Sequence, residues 1–274
     1  MFNPRKIGKT NKLVIIGGIN VLEDINLALE VGSIFKQACI DLGFEYIFKA
    51  SFDKANRSSI ESFRGPGITK GLKMLDSLKS KLEVPILTDV HEPNQAEEVS
   101  RVCDVLQLPA FLARQTDLIA SLAKTEKPVH IKKPQFLAPD QMGNIVKKFS
   151  YYGSEDITLC ERGTMFGYNN QIMDILGLQT LKDACPGKPI SVDVTHSVQC
   201  RNSFSNESGG RRDQVYNLAK AVVAVGVDAL FIEAHTNPND ALCDGPSAIP
   251  SKHIYPFLKN ISEIDKLIKS QIVF

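Results

Sequence analysis

Eight short apolar runs rich in β-branched and aromatic residues recur along the chain, and most are followed by a segment with helical period. They fall at Leu13–Gly17, Tyr46–Ala50, Pro85–Asp89, Val105–Leu108, Val129–Lys132, Ile157–Glu161, Ile190–Val194 and Ala229–Glu233. Between them Leu27, Val31, Ile34, Phe35, Ala38 and Leu42 line one helical face, and Val215, Leu218, Ala219, Val222 and Val223 another; Phe257, Ile261, Ile264, Leu267 and Ile268 repeat the pattern near the C-terminus. Eight such units in about 260 residues predict a closed parallel (β/α)8 TIM barrel rather than an open doubly wound sheet, which usually has fewer strands. Gly17-Gly18-Ile19-Asn20, after the first run, is not the GxGxxG fingerprint of dinucleotide-binding sheets. No interior run of Gly, Ser or Pro is long enough for a linker, so the expectation is one barrel domain over residues 1–274, with 1–12 as an N-terminal extension.

At 274 residues and 43% hydrophobic content, the chain can bury one large core. Lys and Arg total 32 against 31 for Asp and Glu, so nothing pulls the molecule as a whole toward nucleic acid or a membrane surface, and any electrostatic function is local. A nucleic-acid interface would need a basic stripe with interleaved aromatics, and there is no tryptophan. Arg5, Lys6, Lys9 and Lys12 could begin a signal peptide, but the apolar stretch Leu13–Ile16 is broken at once by Gly17, Gly18 and Asn20. The run Ala221–Val227 stops at Asp228, far short of a membrane span. Cys39, Cys103, Cys160, Cys185, Cys200 and Cys243 form no CxxC pair and have no His partner at zinc-finger spacing, which suggests reduced thiols. A soluble, cytoplasmic protein without nucleic-acid or membrane partners is expected.

A (β/α)8 barrel carries its chemistry at the C-terminal ends of its strands. Asn20 follows the first run; Lys49 and Ser51 end the second, Asp89 ends the third, and Gln107 lies in the fourth. Lys132 and Lys133 end the fifth, Arg162 follows the sixth, His196 the seventh, and Glu233 and His235 end the eighth. A lone His or Glu at a strand end is more often a satisfied hydrogen-bonding group than a functional one. Burying this many charges at equivalent positions without a ligand, however, would be costly.

The richest stretch is Lys49 to Gly67, where Lys49, Lys54 and Arg57 stand among Ser51, Asn56, Ser58 and Ser59 just after Tyr46-Ile47-Phe48. A solvated charge run usually mixes signs or follows a helical face. This one alternates cations with hydroxyls and an amide, which points to phosphate or carboxylate binding. Lys49, Lys54, Lys132 and Arg162 are expected to converge, with Arg57 and Ser58 farther out, so that one anion lies deep and another near the mouth. Ser208-Gly209-Gly210-Arg211-Arg212 is either a backbone cradle for an anion or a solvated loop. The long polar connection Ser197–Gly210 suits a lid.

KASFDKANRSS, RGPG, TDVHEP, QLPAFLARQTDL, KKPQF, MGNIV, CERG, FGYNN, DVTHSVQ, SGGRR, FIEAH and CDGPSA occur in this order. Together they resemble the 3-deoxy-D-manno-octulosonate 8-phosphate (KDO 8-phosphate) synthase family over nearly the whole chain, from about Val14 to Pro250. The resemblance implies condensation of phosphoenolpyruvate with D-arabinose 5-phosphate and water, giving KDO 8-phosphate and inorganic phosphate for lipopolysaccharide synthesis. It implies that Lys49 and Lys54 face the phosphoenolpyruvate carboxylate, and that Ser51, Gln107, the Ala110 backbone N–H, Lys132 and Arg162 serve its phosphate. Asn56, Arg57 and Ser58 would hold the pentose phosphate, with Arg114 reaching it from a neighbouring subunit of a homotetramer; Asp89 and Gln135 join the substrate-binding set. Asn20, Lys132, His196, Glu233 and Asp244 would form the reacting centre. Lys132, crowded by Lys133 and other cations, is the first candidate for delivering a proton to the aldehyde oxygen, and His196 or a water is its rival.

In the metal-dependent branch of that family a cysteine stands at the position of Asn20 and binds a divalent ion with residues matching His196, Glu233 and Asp244. A neutral amide is a much weaker ligand for a transition metal than a thiolate, and Cys243-Asp244-Gly245-Pro246-Ser247 also resembles the metal-independent branch. No metal or other cofactor is therefore expected. Two alternatives stand beside this reading. One is a DAHP synthase acting on erythrose 4-phosphate, although those enzymes typically carry a KPRTS-type segment where this chain has Lys54-Ala55-Asn56-Arg57-Ser58-Ser59. The other is a non-catalytic barrel that senses a phosphorylated ligand.

Overall fold

The computed structural model describes residues 1–165, 168–200 and 209–271. Its centre is a closed barrel of parallel strands: β1 (Val14–Val21), β2 (Glu45–Ser51), β3 (Ile86–Asp89), β4 (Val105–Leu108), β5 (Val129–Lys132), β6 (Ile157–Glu161), β7 (Ile190–Asp193) and β8 (Ala229–His235). Each strand pairs with the next in sequence, and β1 closes the ring by pairing with β8 in the register Val14↔Ala229 through Gly18↔Glu233. A ninth short strand, Ile249–Pro250, continues beside the end of β8. The (β/α)8 expectation holds, and the eight expected strands are the eight observed.

Two differences in strand length bear on the site. β1 runs four residues past Gly17, so Asn20 lies inside the strand rather than after it, and β8 continues to His235. The register of β1 on β2 shifts between Gly18 and Val21, the kind of irregularity that re-aims a side chain at the rim of a barrel. Gly18 is demanded by close approach: a Cβ there would sit 2.0 Å from the carbonyl oxygen of Lys49.

The connecting helices are α1 (Ile25–Leu42), α2 (Ile68–Leu82), α3 (Ala96–Val102), α4 (Thr116–Lys124), α5 (Met142–Tyr151), α6 (Gly177–Ala184), α7 (Val215–Ala224) and α8 (Ile254–Ser270). α1 shows why they form where they do. Asp24 caps its first turn by accepting from the N–H groups of Asn26 and Leu27, a contact worth about 1 kcal/mol, and Gly43 ends it at φ +78°. Its buried stripe of Ala28, Val31, Phe35 and Ala38 joins the larger core, between the strands and the helices. Among the described residues, no helix is long and apolar enough to cross a membrane.

Strand parity divides the barrel interior into layers. Val14, Ile16, Ile47, Leu87, Val105, Ala229 and Phe231 fill its N-terminal part as a separate apolar cluster. Ile7 is buried in the same cluster and Phe2 packs on it, so the N-terminal extension plugs the barrel floor. It does so with a single 3-10 turn, Pro4–Lys6. Arg5 fastens that turn to Asp156 and to the carbonyl of Glu126. Above the apolar cluster the inward positions become polar, and the site begins there.

Candidate active site

The same parity that buries Val14 and Ile16 aims residues two or four positions later at the barrel mouth. Asn20 of β1, Lys49 of β2, Asp89 of β3, Gln107 of β4, Lys132 of β5, Asp193 of β7 and Glu233 of β8 are all buried there, with Arg162 just beyond β6. A cavity of about 160 Å³ opens among most of them, with Asn20 and Glu233 behind its lining. Its walls include Lys49, Lys54, Asn56, Asp89, His91, Gln107, Ala110, Lys132, Gln135, Arg162, Asp193 and His196. The expected convergence of Lys49, Lys54, Lys132 and Arg162 is therefore observed, with cations from two strands and from the connections after β2 and β6 lining one cavity.

The cations are held by partners that fix their positions. Lys49 Nζ donates to Glu233 Oε1 at 2.8 Å and to the carbonyl of Asn20 at 3.2 Å. Burial lowers the Lys49 pKa against the opposing pull of Glu233. Burial pulls Lys54 the same way, but Glu233 and Asp89 outweigh it and hold its ammonium firmly charged. Burial pushes the Glu233 carboxyl up, yet His196, Lys49 and Lys54 bring it down to about 2. Asp89 likewise stays well below the usual carboxylate range: burial raises it, and His91 at 3.0 Å, Lys54 and Lys49 more than offset that. Arg162 is lowered by burial and spread between Gln171 Oε1 at 2.7 Å and Gln199 Oε1 at 3.0 Å.

Lys132 stands 3.3 Å above the centre of the Phe231 ring and is paired with Asp193. Asp193 is fully buried and is the anchor of this corner. Its Oδ1 accepts from the backbone N–H groups of Thr195 and His196 and from Thr195 Oγ1, while Oδ2 meets Lys132 and, at 2.6 Å, His196 Nδ1. Burial raises the Asp193 carboxyl, but His196 and Lys132 hold it well below its ordinary value. The other edge of the His196 ring faces Glu233 and Asp244, each 3.6 Å from Nε2. Asn20 Nδ2 bridges the same two carboxylates, donating to Glu233 Oε2 and, at 3.1 Å, to Asp244 Oδ2. Asn20, His196, Glu233 and Asp244 thus form one cluster.

The remaining expected residues lie around this centre. Ser51 is fully buried, with its Oγ unpartnered among the described residues. Arg57 is half-buried and donates to Cys243 Sγ at 2.7 Å, while Asn56 is exposed on the cavity lining and Ser58 is exposed two residues beyond it. Arg114 is exposed and does not line the cavity.

One expectation is corrected, and one open alternative is narrowed. Lys133 does not crowd Lys132: successive residues of a strand face opposite ways, and Lys133 lies behind the sheet, fully buried. There it donates to the carbonyls of Pro134 and Leu137 and to Thr164 Oγ1, with Glu161 at 3.5 Å. Gly209 and Gly210 form no open anion cradle, because they pair with Gln199 and Cys200 as a short antiparallel ladder. Arg211 and Arg212 are fastened to the carbonyls of Gln171 and Gly245. Ser208, residues 201–207 of the expected lid, and Phe166 and Gly167 of the FGYNN motif lie outside the described residues.

Sequence reasoning missed Asp193, Phe231, His91 and the glutamines that hold Arg162. Asp193 was legible through parity, since it stands two positions after inward-facing Ser191; Phe231 read only as an apolar strand residue.

The model of the DAHP synthetase I family matches residues 3–270. The chain belongs to that family. It is 53% identical over 257 residues to the 2-dehydro-3-deoxyphosphooctonate aldolase of Parasynechococcus marenigrum (strain WH8102), which covers 94% of this chain and 91% of that protein. It is 52% identical over 265 residues to the protein of that name from Proteus mirabilis (strain HI4320), covering 97% and 93%. The one from Yersinia pseudotuberculosis serotype O:1b (strain IP 31758) is 52% identical over 257 residues, covering 94% and 90%. 2-Dehydro-3-deoxyphosphooctonate aldolase is another name for KDO 8-phosphate synthase, so the resemblance carried by the motifs and the comparisons agree.

The metal-dependent branch to which the motifs were compared raises the question of whether Asn20, His196, Glu233 and Asp244 fit a divalent ion. They fit one poorly. The Asn20 amide nitrogen donates to both carboxylates from the side where a ligand atom would be needed, and its Oδ1 is buried with no partner among the described residues. The amide N–H does for the two carboxylates what a cation would do.

Proposed function

We propose that the cavity condenses phosphoenolpyruvate with D-arabinose 5-phosphate and water to give 3-deoxy-D-manno-octulosonate 8-phosphate and inorganic phosphate, the reaction that supplies KDO for lipopolysaccharide. The observation that carries this reading is identity of about 52% over nearly the full chain with proteins named for that reaction. A cavity whose cations are already positioned supports it, because the task is to bring two polyanions together against their repulsion.

In this reading Lys49 and Lys54 bind the carboxylate of phosphoenolpyruvate. Ser51, Gln107, the Ala110 N–H, Lys132 and Arg162 bind its phosphate. Asn56, Arg57 and Ser58 hold the pentose phosphate at the mouth, and Asp89 and Gln135 complete the substrate contacts. The exposure of Arg114 away from the cavity supports its supply from a neighbouring subunit of a homotetramer. Carbon 3 of phosphoenolpyruvate attacks the sugar aldehyde; positive character develops at carbon 2 and negative charge at the aldehyde oxygen. Fixed charges of both signs, Glu233 and Asp244 on one side and Lys132 on the other, stabilise the two ends. The aldehyde oxygen takes up a proton, water adds at carbon 2 and gives up one, and phosphate departs by C–O cleavage.

Lys132 and His196 share Asp193 as counter-ion, so the two candidates for delivering the proton to the aldehyde oxygen sit on one hydrogen-bonded unit. Lys132 is our assignment because it lines the cavity with its ammonium over an aromatic face. No metal takes part, in keeping with the Asn20 geometry. The compartment is the cytoplasm, which six free cysteines favour.

The test is phosphate release from phosphoenolpyruvate with arabinose 5-phosphate and, side by side, erythrose 4-phosphate, before and after exhaustive chelation. Activity with the pentose, absent with the tetrose and unchanged by chelation, is expected. Loss on chelation with recovery on adding a divalent ion would overturn the assignment of Asn20, and activity with the tetrose alone would overturn the substrate.

A further inference from the structure

Beneath the cations, inside the barrel, a buried polar chain runs from Gln107 to His130 and Ser191, at 5%, 1% and 0% exposure, and the reaction as described uses only its first member. His130 Nδ1 is 3.2 Å from Gln107 Oε1, and His130 Nε2 is 2.8 Å from Ser191 Oγ. The ring lies nearly parallel to Phe231, at 5.9 Å between centres and 14° between planes, beside the ring on which Lys132 rests. Burial first, and then the nearby charge of Lys132, push the His130 pKa well below its ordinary value. The imidazole is therefore neutral, with one N–H and one lone pair, and which nitrogen carries the proton decides what Gln107 can do.

Two arrangements satisfy the chain. With the proton on Nδ1, His130 donates to Gln107 Oε1 and accepts from the Ser191 hydroxyl at Nε2, and the Gln107 NH2 group is left to face the cavity. With the proton on Nε2, His130 donates to Ser191, whose hydroxyl turns to the carbonyl of Leu159 at 3.2 Å, and Gln107 must rotate to offer its NH2 to Nδ1 and its oxygen to the cavity. The first gives the cavity two N–H donors and the second gives it an acceptor. Gln107 Nε2 donates to no protein group among the described residues, and Gln107 lines the same wall as Lys132 and Arg162. An anion at that wall selects the first arrangement.

We propose that His130 is a positioning residue which, as the Nδ1–H tautomer backed by the Ser191 hydroxyl, locks the Gln107 amide so that its NH2 group donates to the phosphate of bound phosphoenolpyruvate. The inference rests on the reading that Gln107 binds that phosphate. His130 does not touch substrate; it selects which end of Gln107 does.

The test compares variants of the full-length enzyme. His130→Leu removes both links, whereas His130→Asn places an amide N–H near the position of Nδ1. Losing one hydrogen bond to a charged group corresponds to about a tenfold or greater rise in KM for phosphoenolpyruvate, and this is expected for His130→Leu, with kcat and KM for the pentose phosphate changed less than about threefold. His130→Asn should recover most of the loss. Because His130 acts through Gln107, the double variant Gln107→Ala, His130→Leu should be no worse than Gln107→Ala alone. Should His130→Leu fail to fold, ¹⁵N NMR of imidazole-labelled wild type with phosphoenolpyruvate bound reads the tautomer directly, with Nδ1 protonated and Nε2 bare. An Nε2–H tautomer, an unchanged KM in folded His130→Leu, a loss in His130→Asn equal to that in His130→Leu, or additive effects in the double variant would each overturn the inference. If Gln107→Ala itself leaves KM unchanged, the phosphate role of Gln107 falls and this inference with it; a raised KM in Gln107→Ala beside an unchanged one in His130→Leu removes the inference alone.

Discussion

Two buried ion pairs lie one residue apart at the end of β5 and do opposite work. Inside the barrel, Lys132 pairs with Asp193, and behind the sheet, Lys133 approaches Glu161. An ammonium has three N–H donors. Those of Lys133 all find protein oxygens, on Pro134, Leu137 and Thr164, while Glu161 Oε1 accepts from the N–H groups of Arg162 and Gly163 at 2.8 Å each. The Lys133 ammonium is thus fully taken up by protein groups, and the pair ties the β5 and β6 loops together. Lys132 instead has one carboxylate, an aromatic face beneath it and an open cavity before it. Its spare donors are free for an anion. The difference lies in what remains unsatisfied rather than in residue type or burial, and strand parity decides it.

Substitutions at the two lysines sharpen the comparison most. Lys132→Ala is expected to lower kcat by about 10³-fold or more, because it removes a transition-state charge and our candidate proton donor together, with a smaller shift in the urea midpoint than Lys133→Met gives, since Asp193 keeps His196 and the three hydrogen bonds to its Oδ1. Steady-state kinetics and equilibrium unfolding on one preparation check both halves. Lys133→Met should reverse the pattern: loss of about 3–5 kcal/mol of stability, since it leaves Glu161 buried without its cation, and kcat within about threefold for molecules that remain folded. If both variants lose activity with stability intact, the division between the two pairs is wrong.

Acid titration gives a smaller effect that probes the inner charges alone. The Glu233 carboxyl is held at about 2 against an ordinary 4.5. Its contribution to stability is therefore complete above pH 4.5 and is lost as pH falls toward 2. The unfolding midpoint of Glu233→Gln, followed from pH 6 to pH 3, should fall less steeply at the acid end than that of wild type. Equal slopes would mean that Glu233 gains nothing from Lys49, Lys54 and His196.

Most of the frame was legible from the sequence because β-strand periodicity is local information. The runs beginning near Leu13, Tyr46, Val105 and Ile157 became strands within a residue or two of their expected starts, and Lys49, Asp89, Gln107 and Lys132 reached the mouth because each ends a strand or sits inside one with the right parity. What failed to show was relational. Nothing about Lys133 distinguishes it from Lys132 until strand direction is fixed, and Asp193 draws its importance from Lys132 and His196, which arrive from elsewhere in the barrel or fold back upon it. His130 and Phe231 looked like core residues and are buried like core residues; their role depends on what lies directly above them. The stretch Gly209–Arg212 stayed open between two readings for a related reason, since the pairing partners of its glycines, Gln199 and Cys200, stand across a long connection.

The account turns on carbon 2 of phosphoenolpyruvate being the atom that water attacks and phosphate leaves. Phosphoenolpyruvate carrying ¹⁸O in the bridge between carbon 2 and phosphorus, turned over with arabinose 5-phosphate, tests this in one ³¹P NMR spectrum. The account predicts that the released phosphate retains the bridging label while an eight-carbon sugar phosphate accumulates in equal amount. Released phosphate without the label would place the cleavage at phosphorus and contradict the reaction assigned to this cavity.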